Sequence, residues 1–374
     1  MADLLVVVGA RPNFVKVAPV LEALAAHDGV VPRLLHTGQH YHRRMSAAFL
    51  EQLAFPEPEF HLGVGSGTHG EQTAAVLVGV ERVLTEEPMD GVLVAGDVNS
   101  TLAAALAAVK LGVPVVHLEA GLRSGDWSMP EEVNRVLCDR VSDLLLVHSE
   151  EAVGNLAAEG IAPDRVAMVG NTMIDSLFRL LPLARDGGAV GRLGLAPRGY
   201  ALVTLHRPSL VDHHERLRAV LDVLVEVAVD LPVVFPMHPR TRARIDGEMP
   251  DRVLAVEPLE YLDFIALEAQ ARLVITDSGG VQEETSALGV PCLTYRTRTE
   301  RPVTITRGTN TVVGVEPDAL RRACADVLRD AMPAAAPEIP LWDGAAGPRA
   351  ADAIAALLAR RSSARSDAAL SPRP

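Results

Sequence analysis

The sequence contains few cysteines, which argues against two architectures common in small proteins. Its 374 residues include only Cys138, Cys292 and Cys324, which lie far apart in apolar or helical surroundings. A disulfide framework and a zinc cluster both need cysteines that are paired or closely spaced. We therefore predict buried, reduced thiols and a cytoplasmic protein.

Basic charge and long apolar runs are also scarce. The chain has 35 Lys and Arg residues against 48 Asp and Glu residues, which gives a net charge of −13. This balance argues against nonspecific binding to nucleic acid or to an acidic membrane, although it allows a local basic pocket for a phosphorylated small molecule. The N-terminal segment MADLLVVVGARPNF does not begin with basic residues, and its apolar run is too short for a signal peptide or a membrane span. We predict neither a nucleic-acid nor a membrane partner.

Two common nucleotide-binding motifs are missing. The first predicted strand continues into GARPNF and not into GxGxxG, and no GxxxxGK[ST] pattern occurs. His40, His42 and His69 lie in one region, but without cysteine or acid partners at the spacing of metal ligands. We therefore predict no nicotinamide or flavin cofactor and no metal.

The sequence does contain a regular alternation of strand and helix patterns. Apolar residues make up 48% of the chain, enough for two cores at this length. The alternation is typical of parallel sheets with helices on both faces, and it resumes after a Gly- and Pro-rich break at 185–200. We predict an α/β protein with two Rossmann-like doubly wound domains and an interdomain cleft. The predicted strands are 4–9, 33–38, 91–96, 113–119, 143–149 and 165–171, then 201–207, 233–238, 253–259, 272–278 and 291–295.

These patterns also predict the domain boundaries. The N-terminal domain, with the candidate catalytic acids, covers 1–171, and the C-terminal domain, with the candidate nucleotide site, covers 172–344. Residues 345–361 form a final helix that packs back on the N-terminal domain. Residues 362–374 lack apolar periodicity and are predicted to be a disordered tail.

Charged side chains follow several predicted strands. Asp97, Glu119 and His206 each come directly after a strand, where doubly wound sheets build their ligand sites. The strand GVPVVHL breaks into EAGLRSGDWSMPEEVNR, which also contains Glu131. We expect these side chains to lie at a ligand site.

The segment DSGGVQEE (277–284) has the features of a diphosphate site. A strand that runs through Ser278, Gly279 and Gly280 into a helix presents free backbone N–H groups and the positive end of the helix. The glycines allow a phosphate to approach closely. The alternative is that the glycines only turn the chain and that Ser278 caps the helix.

Charged residues at the starts of two predicted helices each have two possible roles. Arg11 and Lys16, at the start of an apolar helix, either contact phosphate or form a solvated face. Glu283 and Glu284 either bond a ribose diol or complement the dipole of their helix.

Together, the motifs resemble those of the non-hydrolysing UDP-N-acetylglucosamine 2-epimerase family. The matching segments are GARPNFVKVAPV, TGQH, GDVNSTLAAALAA, HLEAGLRS, MPEEVNR, GNTMIDSL, TLHRP, TDSGGVQEE and TERP, in this order over roughly residues 5 to 315. The resemblance implies a glycosyltransferase-B-like fold, a homodimer, a UDP-sugar substrate, and no redox cofactor or metal. It also implies interconversion of UDP-N-acetylglucosamine and UDP-N-acetylmannosamine.

The resemblance also assigns roles to single residues. It implies that the catalytic residues are Asp97, Glu119, Glu131 and His206. The positions that it implies for UDP contact are Arg11, Lys16, Phe264, Ser278, Gly279, Gly280, Glu284 and Arg301, with Phe264 along the uracil.

The family's chemistry explains the demand for carboxylates. Carbon 2 of the sugar is weakly acidic, so UDP leaves first, a base removes the proton from carbon 2, and UDP adds back to the resulting 2-acetamidoglucal. Carboxylates then stabilise positive charge at carbon 1 and exchange the proton. We expect Asp97, Glu119 and Glu131 to lie close enough to repel one another. We give no catalytic role to Glu132 or Asp126, which we expect to form a structural network with Arg123 and Arg135.

Four alternatives remain at this point. Departures from the bacterial pattern at TGQHYHRRM, HGEQTA and Pro208 leave room for a variant substrate or for a hydrolysing enzyme that releases N-acetylmannosamine and UDP. A UDP-sugar transferase of the same fold would share the UDP site but would not need the acids. A non-catalytic sugar-nucleotide sensor would bind without turnover.

Overall fold

The computed structural model describes residues 1–39, 51–53, 55–237, 239–245, 252–330 and 335–370. The chain divides into two compact units, Met1–Ser176 with Pro340–Pro374, and Leu177–Ile339. Each unit is a parallel sheet covered by helices. The predicted class, an α/β protein with two Rossmann-like doubly wound domains, is confirmed.

The N-terminal unit contains seven parallel strands in the order β3-β2-β1-β4-β5-β6-β7. Its strands are β1 (Ala2–Val8), β2 (Val30–His36), β3 (Phe60–His61), β4 (Gly91–Ala95), β5 (Val115–Leu118), β6 (Leu144–Val147) and β7 (Val166–Met168). Its helices are α1 (Arg11–Ala25), α2 (His69–Glu86), α3 (Asn99–Lys110), α4 (Pro130–Val141) and α5 (Glu150–Ala158), with a 3₁₀ turn at Pro163–Arg165.

The core of this unit explains why these segments fold as they do. Strand residues such as Leu5, Val7 and Val92 are fully or almost fully buried, which is expected of strands covered on both faces. Small side chains on α3, among them Ala103 and Ala104, are also fully buried and let that helix pack closely.

The C-terminal unit contains six parallel strands in the order β10-β9-β8-β11-β12-β13. Helix α6 (Thr172–Asp186) leads into it from the first unit. Its strands are β8 (Ala201–Thr204), β9 (Val233–Pro236), β10 (Val253–Val256), β11 (Leu273–Thr276), β12 (Cys292–Thr294) and β13 (Asn310–Val312). Its helices are α7 (Ala189–Arg192), α8 (Pro208–Val211), α9 (His214–Asp230), α10 (Pro239–Arg242), α11 (Tyr261–Ala269), α12 (Gly279–Leu288), α13 (Val303–Thr306) and α14 (Pro317–Arg329).

The last helix, α15 (Ala346–Leu370), returns to the N-terminal unit. The Gly347 N–H donates to Asp175 Oδ2 at 2.7 Å, and a Cβ at position 347 would lie 2.5 Å from the carbonyl oxygen of Pro19 on α1. Close contact between α15 and α1 therefore requires glycine here. The buried side of α15 includes Ile354 and Leu358.

Two predicted boundaries differ from the structure. The predicted boundary at 171/172 coincides with the start of α6 at Thr172, but the first unit ends after Ser176, within that helix. The first turns of α6 belong to the N-terminal unit, where the Ser176 hydroxyl donates to the carbonyl oxygen of Val15 at 2.6 Å. The second unit ends at Ile339, whereas the sequence placed that boundary at 344/345.

The predicted disordered tail over 362–374 is corrected as far as Leu370, since the backbone of α15 stays helical to that residue. Alanine and arginine are strong helix formers, so a helix that begins on the N-terminal unit can extend without further apolar residues. Residues 371–374 lie outside the described part of the chain.

Two further observations concern the whole chain. Cys138, Cys292 and Cys324 are buried and form no disulfide, as predicted. Within the described ranges, no helix is both long enough and apolar enough to cross a membrane.

Candidate active site

The first group of candidate residues lies where the strand order of the N-terminal sheet reverses, between β1 and β4. Doubly wound sheets bind ligands outside the carboxyl ends of the strands at this point. Lys16, on α1, forms an ion pair through Nζ with Glu119 Oε2, directly after β5. Only 11% of each side chain is exposed, so the two charges are largely withdrawn from water.

Glu119 has an unusual backbone conformation. Its φ is +68°, in the left-handed region that residues other than glycine rarely adopt. Such a conformation costs about 1–3 kcal/mol and is found at functional sites where the surroundings enforce it. Here the Glu119 N–H donates to the carbonyl oxygen of Leu146 at 3.1 Å, and the Lys16 ion pair holds the side chain.

Gly96 links this ion pair to the end of β4. It has a φ of +67°, and a Cβ at this position would lie 3.3 Å from Lys16 Nζ and 3.4 Å from Glu119 Oε2. The ion pair therefore lies against the backbone that directly precedes Asp97. The structure thus pairs Lys16 with Glu119, two residues that the sequence singled out, and places the pair against the residue before Asp97.

Asp97 is held by α4. Its Oδ2 lies 2.5 Å from Arg135 Nη2, its backbone carbonyl accepts a hydrogen bond from Asn134 Nδ2 at 2.9 Å, and its side chain is 25% exposed. Arg135 also pairs with Glu132, at 2.6 Å. A buried arginine therefore fixes the orientation of the Asp97 carboxylate.

Glu132 is buried and anchors the loop that follows Glu119. Its Oε1 accepts the N–H of Gly125 at 2.8 Å, and its Oε2 accepts the N–H of Ser124 at 3.0 Å. The predicted structural role of Glu132 beside Arg135 is confirmed. Glu131, the adjacent residue, is exposed at the start of α4, and its catalytic role remains a prediction.

One detail of the predicted acid network needs correction. Arg123 does not join Glu132 but pairs with Asp139 at 2.8 Å and with Glu159 at 2.6 Å, so the network splits into two groups. Asp126 Oδ1 accepts the hydroxyl of Ser128 at 2.6 Å within the loop. Repulsion among the candidate acids is also offset, because Asp97 and Glu119 each lie beside a cation.

The second group lies in the C-terminal unit, where the strand order reverses between β8 and β11. Asp277, after β11, accepts the N–H groups of His206 and Arg207 through Oδ2 at 2.9 and 2.8 Å. Its Oδ1 lies 2.9 Å from His206 Nδ1, and 52% of the histidine side chain is exposed. Burial raises the pKa of Asp277, but the contacts with His206 and Arg207 outweigh burial and lower it. Asp277 therefore presents His206 to solvent at the carboxyl edge of the sheet.

The start of α12 has the open geometry expected of an anion site. Ser278 occupies the N-cap position, but its side chain makes no capping hydrogen bond. The alternative, that Ser278 serves as a helix cap, is therefore not supported. Gly279 and Gly280 form the first turn of the helix and are half-buried.

Arg301 explains why position 279 is glycine. A Cβ on Gly279 would lie 2.4 Å from Arg301 Nη1 and 2.8 Å from Glu300 Oε1. Arg301 is buried and pairs with Glu283 at 2.8 Å and with Glu300 at 2.5 Å. A guanidinium is thus held directly against the start of α12.

The two adjacent acids of α12 have different surroundings. Glu283 is fully buried and pairs with Arg301, so its predicted alternative as a ribose ligand is corrected to support of that arginine. Glu284 accepts the hydroxyl of Tyr261 at 2.7 Å. Phe264, on the same helix as Tyr261, is half-buried.

Some predicted residues are less fully described. Arg11 begins α1, but its side chain lies outside the described structure, as do His40 and His42. In the described part of the chain, no three His, Cys, Asp or Glu side chains are grouped as metal ligands.

Sequence reasoning predicted Arg135 beside Glu132 but missed its ion pair with Asp97, and it missed the positioning role of Tyr261. Asp97 lies 38 positions before Arg135, so helical spacing gave no signal for that pair. Tyr261 gave no such signal either, because its partner Glu284 lies on another helix.

Comparisons with known proteins agree with this arrangement. The sequence model of the family described as UDP-N-acetylglucosamine 2-epimerase matches residues 22–355. The UDP-N-acetylglucosamine 2-epimerase of Methanocaldococcus jannaschii is 41% identical over 335 residues, which cover 86% of this chain and 91% of the relative.

Another relative has a different named substrate. The UDP-2,3-diacetamido-2,3-dideoxy-D-glucuronate 2-epimerase of Pseudomonas aeruginosa is 41% identical over 322 residues, covering 85% of this chain and 90% of that protein.

A solved structure is also similar over most of the chain. The crystal structure of the Methanocaldococcus jannaschii UDP-GlcNAc 2-epimerase in complex with UDP-GlcNAc and UDP has a TM-score of 0.86 and 39% sequence identity. The likeness covers 94% of this chain and 99% of that one. With a family model and relatives that each match most of its length, the chain belongs to the UDP-N-acetylglucosamine 2-epimerase family, a family of isomerases.

Proposed function

We propose that this protein interconverts UDP-N-acetylglucosamine and UDP-N-acetylmannosamine by inverting carbon 2 of the sugar, without net hydrolysis. The observation that carries the proposal is the meeting of Lys16, Glu119 and the backbone before Asp97 where the strand order of the N-terminal sheet reverses. A protein that only bound UDP would not need two buried or half-buried carboxylates in this position.

The chemistry begins with departure of UDP, because the hydrogen on carbon 2 is too weakly acidic to be removed directly. As the bond from carbon 1 to the diphosphate oxygen breaks, the electron pair leaves with UDP and positive charge develops at carbon 1. A carboxylate then takes the proton from carbon 2, which gives 2-acetamidoglucal. Addition of UDP to carbon 1 and return of the proton to the opposite face of carbon 2 complete the inversion.

We assign this chemistry to the acids of the N-terminal unit. Asp97, Glu119 and Glu131 are the candidates for proton transfer and for stabilising positive charge at carbon 1. Arg135 orients Asp97 at 2.5 Å, and Lys16 orients Glu119 through its ion pair. Preorganised charges of this kind act without rearrangement during the reaction, which is why they are effective.

We assign UDP binding to the C-terminal unit. The start of α12 offers backbone N–H groups, the glycine pair leaves room for phosphate oxygens, and Arg301 lies against Gly279. These donors would stabilise the diphosphate as it leaves. By similarity, Glu284 binds the ribose, Phe264 lies along the uracil, Arg11 contacts UDP, and His206 contacts the diphosphate or relays a proton.

A second candidate substrate follows from the relative in Pseudomonas aeruginosa. Its identity to this chain, 41%, equals that of the Methanocaldococcus relative. UDP-2,3-diacetamido-2,3-dideoxy-D-glucuronate would undergo the same inversion at carbon 2, because the elimination does not involve the substituents on carbons 3 and 6.

We further propose that the enzyme acts as a homodimer in the cytoplasm. The three free, buried cysteines are compatible with a reducing compartment. Light scattering of the purified protein would give twice the monomer mass if the dimer forms, and the monomer mass alone would contradict it.

The test of function is incubation of the purified protein with each of the two UDP-sugars, followed by proton NMR of the products. UDP-N-acetylmannosamine without free sugar is the expected product from UDP-N-acetylglucosamine. Free N-acetylmannosamine with UDP would identify a hydrolysing enzyme, and transfer of the sugar to an added acceptor would identify a transferase. UDP binding without turnover of either substrate would identify a sensor.

A further inference from the structure

The two catalytic candidates Asp97 and Glu119 follow neighbouring strands, and both strand ends have constrained backbones. β4 ends just before Gly96, with a φ of +67°, and β5 ends just before Glu119, with a φ of +68°. Because β4 and β5 pair in register, a group on β5 can reach the end of β4.

His117 on β5 is such a group. Its side chain is fully buried, Nε2 lies 2.8 Å from the carbonyl oxygen of Gly96, and Nδ1 lies 2.6 Å from Asp139 Oδ1. A carbonyl oxygen only accepts hydrogen bonds. Nε2 therefore carries a proton and donates a hydrogen bond to the carbonyl oxygen of Gly96. Nδ1 faces a carboxylate oxygen and is a donor as well.

The ring is therefore an imidazolium in this position. Burial alone lowers the pKa of His117, but Cys138 and Asp139 outweigh burial and raise it well above its usual value. The carboxyl of Asp139 stays ionised beside two cations, since His117 and Arg123 lower its pKa against the effect of burial.

Asp139 extends the contact to the segment after Glu119. Its Oδ2 accepts the N–H of Gly121 at 3.0 Å and lies 2.8 Å from Arg123 Nη1. Arg123 in turn donates to both carboxylate oxygens of Glu159. One buried cluster thus fixes the backbone before Asp97 and the backbone after Glu119.

We propose that His117 is a positioning residue of the epimerase reaction, which sets the spacing of the Asp97 and Glu119 carboxylates by joining Gly96 to Asp139. This inference rests on the proposed function, since it concerns the same two acids. It assigns no contact between His117 and the substrate.

Two variants of His117 test its two hydrogen bonds, to Gly96 and to Asp139, one at a time. In His117→Gln the side-chain amide nitrogen stands near the place of Nε2 and can still donate to Gly96. In His117→Asn it stands near the place of Nδ1, so the bond to Asp139 is kept and the bond to Gly96 is lost. We expect kcat to fall about a hundredfold in His117→Asn, because a displacement of about 1 Å can cost that much, and to fall less than about tenfold in His117→Gln.

Thermal unfolding shows whether each variant keeps a folded N-terminal unit, which contains His117. UDP affinity, most of whose proposed contacts lie in the C-terminal unit, should change less than about twofold in both variants, which is a negligible free energy. Equal loss of kcat in the two variants, or wild-type kcat in folded His117→Asn, would overturn the proposal.

A measurement without turnover keeps this proposal separate from the proposed function. Amide hydrogen exchange in the peptide over 96–99 should be faster in His117→Asn than in His117→Gln and the wild type, because the carbonyl of Gly96 loses its partner only in the first. If the wild type has no epimerase activity, the proposed function is wrong, and unchanged exchange in His117→Asn would show that His117 does not position this segment either.

Discussion

At the scale of single residues, Glu119 combines a strained backbone with a buried ion pair. Its left-handed φ of +68° and its contact with Lys16 direct the carboxylate towards Gly96, where a Cβ on residue 96 would be in van der Waals contact with it, 3.4 Å from Oε2. Strain of this kind persists only where the surroundings enforce it. The position of the carboxylate is therefore specified by packing and charge together.

Replacing this carboxylate tests its role directly. Glu119→Gln keeps the shape of the side chain but removes the charge and the proton acceptor, so kcat should fall by about a thousandfold, within the range for loss of general base catalysis. Steady-state kinetics and UDP titration calorimetry would measure the two effects, and UDP affinity should be retained. The exposed Glu86→Gln on α2 is the control; wild-type kcat in Glu119→Gln would remove Glu119 from the mechanism.

Glu268 predicts a pH dependence of stability. It lies fully buried on α11, and burial together with neighbouring Glu284 raises its pKa well above the usual value. The folded protein then binds a proton that the unfolded chain releases, so stability is full below the ordinary glutamate pKa and falls as the pH rises towards the folded value.

Glu268→Gln should remove this loss of stability. Each unit of difference in pKa corresponds to about 1.4 kcal/mol, so the variant should gain stability over the wild type as the pH rises above the ordinary pKa of glutamate. Thermal unfolding over a series of pH values above that pKa would measure the gain. The exposed Glu338→Gln is the control in the same unit, and parallel curves for wild type and Glu268→Gln would show that Glu268 is ionised in the folded state.

At the scale of elements, the start of α12 depends on the absence of a side chain at position 279. A Cβ there would lie 2.4 Å from Arg301 Nη1, and Arg301 is held in place by Glu283 and Glu300. The arginine cannot move without disturbing a buried set of charges. The proposed anion site, which consists of the helix start and Arg301, therefore requires glycine at residue 279.

Gly279→Ala should weaken UDP binding by about tenfold, or about 1.4 kcal/mol, by displacing Arg301. Gly191→Ala on α7 is a matched control, because a Cβ at that position meets nothing within 4 Å. Titration calorimetry with UDP measures both. Equal affinity in the two variants would mean that Arg301 does not bind the diphosphate.

The elements also show which features the sequence could predict. Long buried strands such as β1 and β4 were predicted from their apolar runs, and Asp97 and Glu119 from their places directly after strands. The strands β3 and β13 were missed, because segments as short as Phe60–His61 and Asn310–Val312 carry too little pattern. The partners of the charged side chains depend on tertiary contacts, which the sequence does not show. Glu283 pairs with Arg301, and Lys16 pairs with Glu119.

At the scale of the whole molecule, two units repeat one plan. Each sheet runs outward in both directions from a central pair of strands, β1 with β4 and β8 with β11. The first sheet places two carboxylates, Asp97 and Glu119, at the reversal of strand order, each paired with a cation. The second sheet places the exposed His206 and the start of α12 at its own reversal. The sequence could predict both sets, since each stands at the end of a predicted strand, but not the cations that orient the acids.

The central claim is that carbon 2 loses its proton and regains one from the medium. The most direct measurement is incubation with UDP-N-acetylglucosamine in deuterated water, with the sugar nucleotides followed by proton NMR and mass spectrometry. The account predicts UDP-N-acetylmannosamine with deuterium at carbon 2 and, with time, deuterium at carbon 2 of the remaining substrate. UDP-N-acetylmannosamine that retains the original hydrogen at carbon 2 would contradict it.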